Sequence, residues 1–382
     1  MTAFDAVDRT DISPASHLIG QFDYLNTSAR PEAERVRAVV DVMLARYPEQ
    51  HRPDLVRRIR SREDGTHYGA AFELILHEFM LREGFRIAEI EPRVANGRSP
   101  DFLVDRDQTG HFYLEATVAL GPVASDSGAD RRMRDALQAI DNVQSPNFFL
   151  SVHPRGWPAS QVPIGKLRKR VQRFVDDLKP DSVFADVDAG RPLPQMTYSH
   201  DGLEVRIGAT PKQNPGRLTR AIGLRMMPGG VVTPHEAVRD STIDKASRYG
   251  ELDLPYVVAI NAMEEWADED SALDAAFGSP AVAVNQDGDV RHIRNDDGVW
   301  RGPSGPQHRR VSAILSTERL TFWSLSQRRL RLILNPWATR PLLDTGWRSD
   351  VWRVENERLA KTDGQDIRML LELPERWPED AA

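Results

Sequence analysis

The chain has 382 residues, with 57 Asp and Glu against 50 Lys and Arg, a formal net charge of −7 at pH 7, and no cysteine. The length gives room for one elaborated domain or two, and the acidic balance argues against a non-specific nucleic-acid coat but not against a local basic groove. Without cysteine there are no disulfides, thiolate zinc sites or cysteine nucleophiles, which suits a reducing cytoplasm, the expected location.

Residues 1–30 are polar and weakly patterned and read as an irregular lead-in. They contain no basic segment followed by an apolar one, so no signal peptide is expected. No apolar run reaches membrane-spanning length, so no membrane partner is expected either. "RPEAERVRAVVDVMLARYP" and the short basic "RPDLVRRIRSRED" both predict helices, the first with a proline in its opening turn. The helical signal is strongest in "THYGAAFELILHEFMLREGF". Ala71, Phe72, Ile75, Leu76, Phe79 and Met80 make one apolar face there, and Gly84 is the stop. Three strands are expected next, from "FRIAEIE", "DFLVDR" and "HFYLEATVAL".

Beyond Gly121 the pattern predicts a helix that starts loosely, a strand at "NFFLSVHP", and a helix at "IGKLRKRVQRFVDDLKP". A hairpin is expected to turn at Asp201-Gly202. In the second of these helices Lys166, Arg168, Lys169, Arg170 and Arg173 surround an apolar stripe. Such a basic face is either simply solvated or a nucleic-acid contact. Residues 211–240 are rich in Pro and Gly and read as surface loop. "STIDKASRYGELDLPYVVAINAM" predicts a helix, a break and a continuously apolar, buried strand. "RVSAILS" and "LRLILNPW" add two strands, "DDGVWRGPSGPQHRR" a basic loop, and the end of the chain a polar tail.

Phosphate-binding GxxxxGK[ST], dinucleotide-binding GxGxxG and GxSxG patterns are all missing, and "LHEFML" lacks the second histidine of a zinc helix. The pattern that carries chemistry is a pair of carboxylates. In "FYLEATV", Glu115 shares a strand face with Tyr113 and Thr117, and in "DFLV", Asp101 lies opposite Phe102 and Val104. Paired strands lie about 4.8 Å apart, so the two carboxylates can converge on one hard cation. Mg²⁺ suits such a site, because it takes one or two carboxylates together with water and phosphate oxygens. An unpaired charge inside an apolar strand would otherwise be costly.

Pro100-Asp101 followed by Glu115-Ala116-Thr117, after a helix carrying Glu73, resembles the PD-(D/E)xK nuclease superfamily. "YGAAFELILHEFMLREGF" is similar to the leading helix of Mrr-like members. The resemblance spans roughly residues 66–120 and rejoins at about 240–262. It implies an α/β fold with a restriction-endonuclease-like mixed sheet core flanked by helices. Around it are expected a helical N-terminal element (1–63), a core (64–262) with a large insertion at about 121–240, and a C-terminal extension (263–382) packed on the core. It also implies a nuclease using Mg²⁺ or Mn²⁺, with Asp101 and Glu115 as direct ligands and Glu73 binding the metal directly or through water. The partner is nucleic acid, in the first place DNA, and a homodimer stays open.

One position departs from the family. Where a lysine usually orients the attacking water, this chain has Thr117. Lysine is scarce, with only Lys166, Lys169, Lys179, Lys212, Lys245 and Lys361 in the whole chain. Lys245 is the candidate to supply the missing cation. It shares a helix face with Tyr249 at i+4, and K-x-x-x-Y is similar to the Q-x-x-x-Y motif of RecB-like nucleases. The competing reading is a catalytically inactive member kept for nucleic-acid or protein binding. Thr117 and the acidic charge favour that alternative, and the retained carboxylates favour the enzyme.

Overall fold

The computed structural model describes residues 2–16, 19–106, 110–120, 127–189, 191–212, 221–225, 234–264, 267–284, 290–343 and 346–379. The polar turn expected at 107–109, the loose start at 121–126, and 213–220 and 226–233 of the Pro/Gly-rich stretch lie outside them.

In chain order, α1 (Gln21–Thr27), α2 (Pro31–Arg46), α3 (Arg52–Ile59) and α4 (Asp64–Glu83) precede β1 (Arg86–Ile90), β2 (Phe102–Arg106) and β3 (Gly110–Ala119). Next come α5 (Ser127–Asp141), β4 (Phe148–Arg155), α6 (Ile164–Asp177), α7 (Pro180–Asp188), β5 (Gln195–His200), β6 (Leu203–Pro211) and β7 (Ile222–Arg225). They are followed by α8 (Pro234–Arg248), β8 (Tyr256–Ala262), α9 (Glu269–Phe277), β9 (Pro280–Val284) and β10 (Val290–Arg294). The chain ends with β11 (Arg301–Gly302), β12 (Gly305–Pro306), β13 (Ala313–Glu318), β14 (Arg331–Leu334), β15 (Asp350–Glu355), β16 (Arg358–Thr362) and α10 (Ile367–Leu371). This is a mixed α/β protein, and none of its described helices is long and apolar enough to cross a membrane.

The chain divides into two compact units, one of Met1–Ser13, Gly20–Gly121 and Thr233–Ala382, the other of Pro14–Ile19 and Pro122–Val232. The first is built on an eight-stranded sheet in the order β1-β2-β3-β8-β13-β14-β15-β16. β3 and β13 both run parallel to β8, while β2 is antiparallel to β3. β8 is buried along its whole length, as a central strand must be when both sheet faces are covered. Its side chains alternate between two cores. Val257 and Ala259 join Phe72, Ile75 and Phe79 of α4, whereas Val258 and Ile260 join Val238 and Ala246 of α8 and Tyr249 just past its end.

α4 departs from a simple amphipathic helix. Ala70 to Met80 are buried without interruption, including Glu73, His77 and Glu78 on the side away from the expected apolar face. A helix covered all round is a core helix, and its polar groups have to be satisfied inside the protein. At its end Gly84 takes the left-handed conformation (φ 89°), and Phe85 N–H closes back on Met80 O at 2.9 Å. Alanine there would cost on the order of 1 kcal/mol, because only glycine enters that region freely.

Four expectations are corrected. The stretch 211–240, read as loop, contains β7 and the first turns of α8. The N-terminal lead-in contains α1, whose Phe22 and Leu25 are buried. The polar tail holds β15 and β16, which extend the main sheet. The basic loop before β13 folds into the small β11–β12 hairpin and carries Val299 and Trp300, both fully buried.

The second unit has a four-stranded sheet in the order β5-β6-β4-β7. Its hairpin turns at Asp201 and Gly202, both at positive φ (38° and 82°), as a two-residue turn of right-twisting strands requires. Leu167, Val171 and Val175 of α6 pack into this unit's core, and Lys166, Arg168, Lys169, Arg170 and Arg173 are exposed.

Candidate active site

The β2–β3 register sets Phe102 opposite Leu114, so Asp101, one residue before Phe102, comes level with Glu115. Asp101 Oδ2 accepts a hydrogen bond from Ala116 N–H at 2.6 Å. Among the described residues this is the only hydrogen bond to its carboxylate. Glu115 is 3% exposed and lies in β3 between β2 and β8, where an uncompensated charge would be costly.

The compensation comes from α8. Lys245 Nζ donates to Glu115 Oε1 at 2.7 Å, and Tyr249 OH donates to Glu115 Oε2 at 2.5 Å. Lys245 lies in the last turn of α8 and Tyr249 one residue past its end, and each takes one carboxylate oxygen. Arg248 Nη1 stands 3.5 Å from Oε1. Tyr249 OH also lies 3.1 Å from Ser99 O, in the segment that leads into Asp101. Burial and the adjacent Glu115 carboxylate push the Tyr249 phenol far above its usual range, so it stays protonated and a donor.

Glu73, four residues before His77 on α4, is held from the other side. Arg58 of α3 grips it with two bonds, Nη1 to Oε2 at 2.6 Å and Nη2 to Oε1 at 3.0 Å, and Tyr47 OH donates to Oε1 at 2.7 Å. Both of its oxygens are therefore engaged by protein groups.

Asp101 carries the electrostatic strain. Burial, then the Glu115 carboxylate and then that of Glu73 raise its carboxyl well above the ordinary range, against the lowering effects of Ala116 N–H and Lys245. Three carboxylates and a lysine thus act on one another, with Asp101 the least compensated member. No known family model, curated protein or solved structure matches this chain.

Of the residues singled out in the sequence, Asp101, Glu115 and Lys245 come together, and Glu73 is near enough to act on Asp101. Among the described residues no three His, Asp or Glu side chains are grouped to hold a metal ion. Glu73 is engaged by Arg58 and Tyr47 and Glu115 by Lys245 and Tyr249, so of the three carboxylates Asp101 has the fewest protein partners. Two carboxylates still suit Mg²⁺, which fills its remaining positions with water and phosphate oxygens. The crowding that raises Asp101 marks a spot short of positive charge. Sequence reading missed Tyr47, Arg58 and Arg248. Arg248 had a usable signal, lying three residues after Lys245 and so on an adjoining part of the same helix face.

Proposed function

We propose that this chain is a metal-dependent nuclease with a restriction-endonuclease-like core, hydrolysing phosphodiester bonds, in the first place in DNA. The observation that carries this reading is the meeting of Lys245 with Glu115 beside Asp101. A chain with six lysines and a threonine at the expected position brings one of them to the carboxylates from a different element. The mixed sheet supports the fold part of the reading, with α4 covering one face of β3 and β8 and α8 the other.

In this proposal Asp101 and Glu115 hold the metal. A Mg²⁺ bound there supplies a Lewis acid for the phosphodiester and lowers the pKa of water. Lys245 places a positive charge where negative charge develops on the phosphate, the task Thr117 cannot perform. Tyr249, kept protonated, fixes the orientation of Glu115. The Arg58–Glu73 pair braces the α4 side and keeps its charge balanced.

A second reading has its own support. Both oxygens of Glu115 and of Glu73 already have protein partners, as in a non-catalytic module for nucleic-acid or protein binding. Nuclease assays with Mg²⁺ or Mn²⁺, with and without chelator, on wild type, Asp101→Ala and Lys245→Ala separate the two. Chelator-sensitive hydrolysis lost in both variants is the expected result. Equal activity in all three means contamination, and no hydrolysis of any nucleic acid favours the binding module.

A further inference from the structure

An open basin of about 580 Å³ adjoins the carboxylate site, lined by Arg98, Ser99, Asp244, Ser247 and Arg248. We propose that it seats a phosphate of the nucleic-acid strand next to the one that reacts, with Arg98 and Arg248 as its anion-binding residues. This rests on the nuclease reading, and it adds two residues and a ligand chemistry to it.

Continuity with the site is the first argument. Arg248 lines the basin while its Nη1 stands 3.5 Å from Glu115 Oε1, and its side chain remains 45% exposed. One guanidinium therefore spans the reacting centre and the basin. At 3.5 Å its contact with Glu115 is long, and Lys245 at 2.7 Å already serves the same oxygen. The remaining donors of its planar fork fit a phosphate, which a guanidinium binds through paired N–H groups.

Rigidity is the second. Arg98 Nη1 donates to Arg248 O at 2.9 Å, and Asn96 Nδ2 reaches the same carbonyl at 3.2 Å. These two bonds fasten the segment before β2 to the end of α8, so both arginines sit on joined elements. The end of a helix bears partial negative charge, and Arg98 offsets it at the place an anion would occupy. Among the described residues, Asp244 is the only acidic one lining the basin, and it is exposed.

Overall charge supplies the third. At −7 the chain does not draw a polyanion by its general field, so a strand has to be held by local cations.

The test uses the full chain carrying Asp101→Asn, so that binding is read without hydrolysis. Affinity for fluorescein-labelled single-stranded and duplex oligonucleotides is measured across a KCl series, alone and with Arg98→Gln, Arg248→Gln, Arg98→Lys or Arg248→Lys. Each Gln change is expected to weaken binding equally across sequences and to reduce the slope of log K against log[KCl] by about 1. The Lys variants should keep the slope. If the parent binds and the Gln variants keep both slope and affinity, the basin is not a phosphate seat. A Lys variant whose salt slope falls as far as that of its Gln counterpart means a structural role and also overturns the proposal. A parent that binds no oligonucleotide refutes the nuclease reading itself, a result distinct from the other two.

Discussion

Lys245 Nζ stands 2.7 Å from Glu115 Oε1 across 130 residues of chain. The two are the most buried opposite charges of the candidate site, at 14% and 4% side-chain exposure. Each makes the other tolerable, and each is a liability alone.

Removing the lysine therefore acts on stability as well as chemistry. Lys245→Ala should cost about 3–5 kcal/mol, the usual penalty for stranding a buried charge. Adding Glu115→Gln should recover much of that loss, because the stranded carboxylate is gone, while hydrolysis stays absent. Urea denaturation of the four members of the cycle gives the coupling energy.

A lysine returned to the strand should take over part of the task. Thr117 is half-buried, lies two residues from Glu115 on the same strand face, and pairs with Ile260 of β8. The double variant Thr117→Lys/Lys245→Ala should hydrolyse DNA at least about tenfold faster than Lys245→Ala, a gain of only about 1.4 kcal/mol in barrier. Rates indistinguishable from those of Lys245→Ala would argue that a cation on β3 cannot serve this site.

Asp101→Asn should separate stability from activity. Asparagine can still accept from Ala116 N–H, but it removes the carboxyl that burial, Glu115 and Glu73 destabilise. Without metal the variant should be more stable than wild type, and hydrolysis should be lost. Differential scanning calorimetry in chelator, beside a nuclease assay, checks both halves.

His77 sets an acid limit. It is 2% exposed, its ring lies 4.8 Å from that of Tyr47 and 6.2 Å from that of Phe102, and burial lowers its pKa from 6.5 to about 4. A base with a depressed folded pKa binds its proton first in the unfolded chain. Its effect is nil above 6.5, and it destabilises progressively as pH falls from 6.5 towards 4, by about 3 kcal/mol at the end. His77→Phe removes the titration and fits between two aromatic rings. The stability gap between wild type and this variant should shift in the variant's favour between pH 7.5 and 4.5 in urea titrations, and a gap that does not change with pH would rule the histidine out.

Local patterns made much of the framework legible. The apolar spacing and Gly84 marked α4, strict alternation oriented Glu115 in β3, and the unbroken apolar run marked β8 as central. Other elements were hidden for definite reasons. α1 spans seven residues, too few to show a period, and buries only Phe22 and Leu25. β16, at the edge of the sheet, is largely polar, with Arg358, Lys361 and Thr362 exposed, so its sequence looks like a tail. At the site, spacing brought out Lys245 and Tyr249 because they lie four residues apart, although α8 ends at Arg248 between them. No periodicity could connect Glu73 to Arg58 and Tyr47, since those contacts depend on how α2 and α3 pack on α4.

β3 and β8 are parallel neighbours, yet residues 122–232, most of a separate compact unit, lie between them in the chain. During synthesis Glu115 leaves the ribosome long before Lys245, and β8 is not complete until Ala262. Until then a buried acidic strand has neither its lysine nor its central neighbour. Long-range parallel pairing of this kind is slow to form, so Glu115 stays without its cation until α8 and β8 have been made, long after Glu73 has met Arg58 and Tyr47.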